Sequence, residues 1–248
     1  MTASVAVMHA ACHAPTLTRA QVRKAGRLAR QHKVGSIGWT EAYHRIGALW
    51  LLLGFRLIIG PRAARKGKRG WAKDNPISLR SRNVELASGA VQTSPDLGGK
   101  VDPARGITWV VYEDRDTGLI VLHLAMHPDA AVEGKSPTLG RVKAYAGTMQ
   151  ILAARVNALR DRWQPDVTVV TGDLQWHSTH IAGQPEWAPP VVARALGLSH
   201  IHHEKPLDWV ISDAVISHVE VITEAENGQD HPWLIATLTP KDTKENHR

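Results

Sequence analysis

From Ile77 to Thr239 the chain repeats one pattern: short apolar, β-branched or aromatic runs that end at polar or turn-forming residues. The runs are ISLRS, VELA, ITWVVYED, LIVLHLAM, VTVVTGD, LDWVISD, VISHVEVITE and WLIATLTP. Such runs read as strands, and a nearly continuous one such as VTVVTG suits a strand covered on both faces. Asp116-Thr117-Gly118, between two of them, has the composition of a hairpin turn. Over Lys143–Trp163 the period changes to that of a helix, with Met149, Leu152, Val156 and Leu159 on one face. Strands in hairpins mixed with amphipathic helices predict an α/β domain in which sheets pack together and helices cover the outside.

The first part of the chain fits the same plan. Val5–Val7 reads as a buried strand. Thr16 or Thr18 caps a helix that runs to about Lys33, with Val22, Ala25, Leu28 and Ala29 on one face and Arg19, Arg23, Arg27 and Arg30 on others. VGSIGWTEAY is a strand ending at Glu41, followed by a helix over Tyr43–Leu53 and a strand over Phe55–Ile59. Residues 60–73, GPRAARKGKRGWAK, have no apolar period and hold six Lys and Arg, which predicts an exposed loop. Pro189–Leu196 reads as a short helix and SHIHHEKP as a loop with solvated histidines. A single domain over 1–240 with a polar tail at 241–248 is expected.

Composition narrows the function classes. The nine Trp outnumber one Phe and three Tyr, so indoles are expected at core positions. One cysteine, Cys12, excludes an intramolecular disulfide and any zinc site built on several thiolates, and fits a reducing compartment. The first fifteen residues lack a basic n-region and an unbroken apolar h-region, so no signal peptide is read. Ile46–Ile59 is interrupted by Gly47, Gly54 and Arg56 and is too short for the ~20 residues of a membrane span. A cytoplasmic protein with no membrane association is expected.

The charge is unevenly placed. Residues 1–100 hold 17 Lys and Arg against 4 Asp and Glu, and the remainder holds 13 against 19, giving +13 and −6 within a net charge of +7. A basic half favours a polyanion through electrostatic attraction and counterion release, and nucleic acid is the expected partner. Arg62, Arg65, Lys66, Lys68 and Arg69, with Trp71 beside them, suit phosphate contacts and stacking on a base. The loop lacks the GxxxxGK[ST] spacing of a nucleotide-phosphate cradle, and no HExxH pattern occurs.

Ionisable residues recur at strand ends: Glu41, His123 within LIVLHLAM, Asp173, Asp208 and Asp230-His231. Each alone is also an ordinary turn former. As an ordered set over residues 5–240, they resemble the endonuclease/exonuclease/phosphatase superfamily, which includes pancreatic deoxyribonuclease and abasic-site repair endonucleases. GWTEAY resembles the first acidic motif, with Glu41 at the glutamate. VLHLAMHP resembles the strand-His-Leu motif, with His123 the better match and His127 the alternative. GDLQW resembles Gly-Asp-hydrophobic-Asn at Asp173, LDWVIS the Asp-Tyr-Ile motif, and DHPWLIATL the terminal Ser-Asp-His segment.

The resemblance implies a four-layer sandwich, two mixed β-sheets packed together with helices on the outer faces. It implies a metal-dependent phosphodiesterase, a nuclease first, in which His231 is the general base held by Asp208. Asp173 would orient the attacking water, and His123 and Gln175 would hydrogen-bond the phosphate. Glu41 and Asp230 would hold Mg²⁺, or Mn²⁺ in its place. Two residues depart from the family pattern. Gln175 stands where the family has Asn, moving the amide by roughly 1.5 Å, and His9 stands where an Asn near the metal is usual, imidazole being a less natural magnesium ligand than oxygen. The alternatives are a phosphatase or phospholipase of the same fold acting on small or lipid phosphates, and a nucleic-acid-binding module that has lost turnover.

Overall fold

A computed structural model describes residues 3–12, 18–42, 49, 52–59, 74–94, 105–128, 139–176, 186–205, 207–228 and 230–241. Twelve strands form two six-stranded sheets. One has the order β11 (Val215–Ile222), β12 (Trp233–Thr239), β1 (Val5–Ala11), β2 (Val34–Thr40), β4 (Ile77–Arg80), β3 (Phe55–Ile58). The other runs β5 (Val84–Gln92), β6 (Gly106–Glu113), β7 (Ile120–Met126), β8 (Val167–Asp173), β10 (Asp208–Ser212), β9 (His200–Glu204). Each sheet is mixed: β1 and β2 are parallel, as are β7 and β8, and their neighbours run antiparallel. Both parallel pairs are joined through a helix, α1 (Arg19–Gln31) and α2 (Leu139–Trp163), as parallel neighbours require.

Period-2 alternation makes the layers. From β1, Val5 and Val7 face the second sheet with Leu79, Val110, Tyr112, Val169, Val210 and Ala236. Met8 and Ala10 face the other way, under Val22, Ala25 and Ala29 of α1. On the far side, Met149, Leu152, Val156 and Leu159 of α2 cover Leu122, Leu124, Val170 and Ile211, joined by α3 (Pro189–Ala195). The four-layer sandwich expected from the sequence is therefore present. Thr18 settles the start of α1: its hydroxyl accepts from the Gln21 amide and the Gln21 side chain accepts from the Thr18 amide, a reciprocal capping box. Trp39, Trp209 and Trp233 are fully buried, as the Trp excess predicts, and the indoles of Trp39 and Trp233 donate to Ser78 and to the Ala11 carbonyl. No described helix is long and apolar enough to cross a membrane.

Several elements differ from the sequence reading: β1 runs to Ala11, beyond Val5–Val7, and α2 starts at Leu139, four residues before Lys143. His200–Glu204 is an edge strand paired with β10, not a loop: its backbone pairs along all five residues, whose side chains are half-buried, with Ile201 packed on the core. β5 extends to Gln92, well beyond VELA. The helix expected over Tyr43–Leu53 falls mostly outside the described residues, as does the basic loop.

Candidate active site

At one end of the inter-sheet layer the apolar residues give way to polar ones. Asp208 and Asp173 are direct cross-strand partners on β10 and β8, so their side chains share one face. His9 continues the inward face of β1 after Val7, and His231 lies just before β12, whose Trp233 pairs with Ala10. Both sheets thus deliver their ends to the same place.

Asp208 is fully buried and bridges two imidazoles. Its Oδ1 lies 2.9 Å from His9 Nε2 and its Oδ2 lies 2.9 Å from His231 Nδ1. Burial opposes the charge on Asp208, but its hydrogen bonds to His231 and His9 prevail and lower its pKa below the usual carboxylate value. The His231 ring keeps partial exposure. Its burial also disfavours charge, yet the hydrogen bond and charge of Asp208, with the charges of Asp173 and Asp230, raise its pKa to about 9. Because Nδ1 is held, Nε2 is the nitrogen that can exchange a proton with a reactant.

Asp173 begins a second chain. Gln175 Nε2 donates to its Oδ2 at 2.6 Å and the Gln175 amide to its Oδ1 at 3.2 Å. His127 Nε2 lies 3.7 Å from Asp173 Oδ2, and His127 Nδ1 lies 3.1 Å from Asp74 Oδ2, which also accepts from Arg105 at 2.7 Å. Asp74, Arg105 and His127 are all buried. Burial pulls the His127 pKa down and Arg105 adds to this, but Asp74 and Asp173 on either side raise it overall. Burial likewise opposes ionisation of Asp74, and His127 and Arg105 outweigh it, bringing the carboxyl to about 2. Asp173 moves the other way: burial and the nearby Asp208 charge raise it despite His127 and His231.

His123 does not join this group. It sits fully buried between the sheets, with Nδ1 2.7 Å from Ser36 Oγ and Nε2 2.8 Å from Thr171 Oγ1. Burial, with His9 nearby, pushes its pKa down to about 3. Gly38 permits the arrangement, since a Cβ there would lie 2.2 Å from Thr171 Oγ1 and 3.0 Å from His123 Nε2. The phosphate role expected of His123 is therefore corrected: its ring is locked in the core, and His127, four residues further along, meets Asp173.

The expected metal residues are placed less tightly. Glu41 directly follows β2 at φ 58°, and the amide of Ala42 beside it donates to the Asp74 carbonyl at 2.9 Å. The buried Cys12 thiol feels both carboxylates, Glu41 and Asp74. Asp230 is exposed, directly before His231. Among the described residues no three His, Cys, Asp or Glu converge as a metal cage. Mg²⁺ requires less: one or two carboxylates, its own waters and substrate phosphate oxygens. Asp74 Oδ1, buried and without a hydrogen-bond partner among the described residues, and the adjoining Glu41 supply oxygen donors of that kind. His9 is not among them, since its Nε2 is committed to Asp208.

Asp74 and Arg105 were not singled out from the sequence. The available signal was Asp74-Asn75-Pro76 immediately before a strand, an acid and an amide at a strand start. Of the other histidines, His202 pairs with Glu204 at 3.3 Å and His203 packs on Trp209, both on β9. His177 and His180 lie outside the described residues, as do Arg62, Arg65, Lys66, Lys68, Arg69 and Trp71.

No protein-family model matches the sequence, and no curated protein matches it. Solved structures do match the fold. A protein described as the endonuclease/exonuclease/phosphatase from Bacteroides vulgatus superposes with a TM-score of 0.68 at 13% identity, covering 96% of this chain and 100% of the other. The mannosyl-6-phosphatase Bt3783 of Bacteroides thetaiotaomicron gives 0.64 at 16% identity, covering 94% and 98%. Truncated TDP2 from Caenorhabditis elegans gives 0.62 at 11% identity, covering 95% and 97%.

Proposed function

We propose that this chain, which has the fold of the endonuclease/exonuclease/phosphatase proteins, hydrolyses phosphoric esters, with phosphodiesters of nucleic acid as its substrate class. The observation that carries the reading is the Asp208–His231 pair, a buried carboxylate on Nδ1 of a partly exposed imidazole, with Asp173 opposite. Hydrolysis needs a proton taken from water, a water held in line, and charge balanced on the phosphate oxygens. His231 Nε2 takes the proton, and Asp208 fixes the ring and stabilises the imidazolium that forms. Asp173, with its raised pKa and Gln175 bound to it, orients the water. His127, its positive charge favoured by Asp74 and Asp173, faces the phosphate with Gln175. A divalent cation held by Glu41 and Asp74 Oδ1, with Asp230 as a further carboxylate, would neutralise phosphate charge and stabilise the leaving oxygen.

Support for nucleic acid comes from the basic first 100 residues and the Arg62–Lys73 segment. Replacing Arg65, Lys66, Lys68 and Arg69 with Ala is expected to weaken DNA binding at low salt and to flatten the log K against log [salt] slope by about 0.9 per lost contact. Turnover of a small chromogenic phosphodiester is expected to stay the same. The test of function is incubation with labelled DNA, labelled RNA and that small ester, each with Mg²⁺, Mn²⁺ or EDTA. Cleavage of a polynucleotide supports the reading. Turnover of small phosphates alone favours a phosphatase, a reading also supported by the superposition on a mannosyl-6-phosphatase. Salt-sensitive DNA binding without turnover favours a binding module.

A further inference from the structure

We propose that His9 is a positioning residue for the site: by donating from Nε2 to Asp208 Oδ1, it fixes the carboxylate whose other oxygen holds His231. The inference rests on the hydrolase reading and adds a residue to its machinery.

The geometry is that of a single clamp. A carboxylate is rigid and planar, so rotating it to release Oδ1 also moves Oδ2; anchoring either oxygen anchors both. Asp208 comes from β10 of one sheet, whereas His9 on β1 and His231 before β12 come from the other. The two 2.9 Å contacts therefore join the sheets at the point where proton transfer is proposed.

The protonation of His9 follows from its partner. An ionised carboxylate only accepts, so Nε2 carries the hydrogen. Nδ1 is then left fully buried with no hydrogen-bond partner among the described residues, and His9 itself has no exposure. A ring retained only for packing would do better as an apolar side chain, since an unpaired buried nitrogen is unfavourable. What an apolar residue lacks is the Nε2 donor. Its reach is that of a glutamine amide nitrogen, about one bond longer than an asparagine's, so His9, which departs from the family's Asn, is suited to Asp208 and not to a metal.

Three variants test this. His9→Leu removes the donor and keeps bulk, His9→Gln keeps a donor at similar reach, and His9→Asn keeps a donor that falls short. Steady-state kinetics on a small chromogenic phosphodiester are expected to show kcat reduced about 10- to 100-fold in His9→Leu, the range for loss of a group that orients a reacting side chain, with KM within about 2-fold of wild type because His9 does not reach the substrate. His9→Gln is expected to recover most of kcat and His9→Asn little. A second readout needs no turnover: the strongly downfield Nδ1 proton of His231, observed by NMR, should persist in wild type and His9→Gln and be lost or moved in the other two. If His9→Leu does not fold, the contrast between Gln and Asn carries the test. Unchanged kcat and an unchanged His231 resonance in His9→Leu or His9→Asn would overturn the proposal, as would a His9→Gln variant as impaired as Asn. If wild type hydrolyses no phosphoester while the resonance behaves as expected, the hydrolase reading fails and the role of His9 in holding Asp208 stands.

Discussion

Asp173 and Asp208 face each other across β8 and β10 as a register pair, two buried carboxylates on adjacent strands, with opposite pKa shifts. Like charges so placed disfavour joint ionisation, and the neighbours decide which gives way. Asp208 has hydrogen-bond donors from two histidines and stays ionised. Asp173 has the weaker set and is pushed up. Environments that separate two acids in this way suit them to different roles, and in the proposed mechanism Asp208 holds the base and Asp173 handles water.

The stability consequences differ in sign. Asp208 and Asp74 have depressed pKa values, so their contribution is present above the ordinary carboxylate range and lost as pH falls. For Asp74 that loss runs from about pH 4 down toward its folded value of about 2 and amounts to roughly 2 kcal/mol. Asp173, raised in the fold, works against stability above the ordinary carboxylate range. Asp173→Asn is expected to leave the urea midpoint at pH 7 unchanged or higher, and Asp74→Asn to lower it. Equilibrium urea unfolding of the two variants checks this.

The rate should climb with pH through a higher range than a free imidazole would give. In the unliganded chain, His231 is raised to about 9, so the base form is scarce at neutrality and kcat/KM should keep rising above pH 6.5 toward about 9. A cation bound at Glu41 would move the midpoint down, because added positive charge disfavours the imidazolium. A pH–rate profile at saturating and limiting Mg²⁺ tests both statements.

His123 is expected to matter for folding and little for chemistry. His123→Ala leaves a cavity and removes the partner of two buried hydroxyls, Ser36 and Thr171, a loss of about 2–4 kcal/mol. In folded variants, kcat should stay within about 3-fold, far from the loss expected of a proton-transfer group. Its depressed pKa adds an acid limit: the unfolded chain takes up a proton below about 6.5 while the folded ring stays neutral down to about 3, so stability falls across that window. Denaturation midpoints between pH 7 and 4, with kinetics at pH 8, separate the two roles.

The sequence made the layers legible because the inner strands read as short, mostly apolar or β-branched runs: VTVVTGD is buried along its whole length. Asp173, Asp208 and His231 were legible because each stands at a strand end that the topology carries to one edge. His123 and His127 were harder to separate. They lie four residues apart, so His127, one residue past the end of β7, continues the spacing of the face that His123 occupies, and only the tertiary packing at Gly38 shows that the sheets close over His123. The Asp208–His9 contact spans 199 residues, beyond any local pattern. Asp74 and Arg105 find each other and His127 only when β4, β6 and β7 stack across the two sheets. The β9 strand was hidden because a five-residue edge strand containing three histidines resembles a polar loop.

The most direct test of the central claim is steady-state hydrolysis of a small phosphodiester by wild type, His231→Ala and Asp208→Asn, each checked for a native circular dichroism spectrum. The account predicts metal-stimulated turnover by wild type and a loss of about 10²–10⁴ in kcat for His231→Ala, with a loss in the same direction for Asp208→Asn. Folded variants that lose less than about tenfold, or a wild type inactive on every phosphoester offered with Mg²⁺ and Mn²⁺, would contradict it.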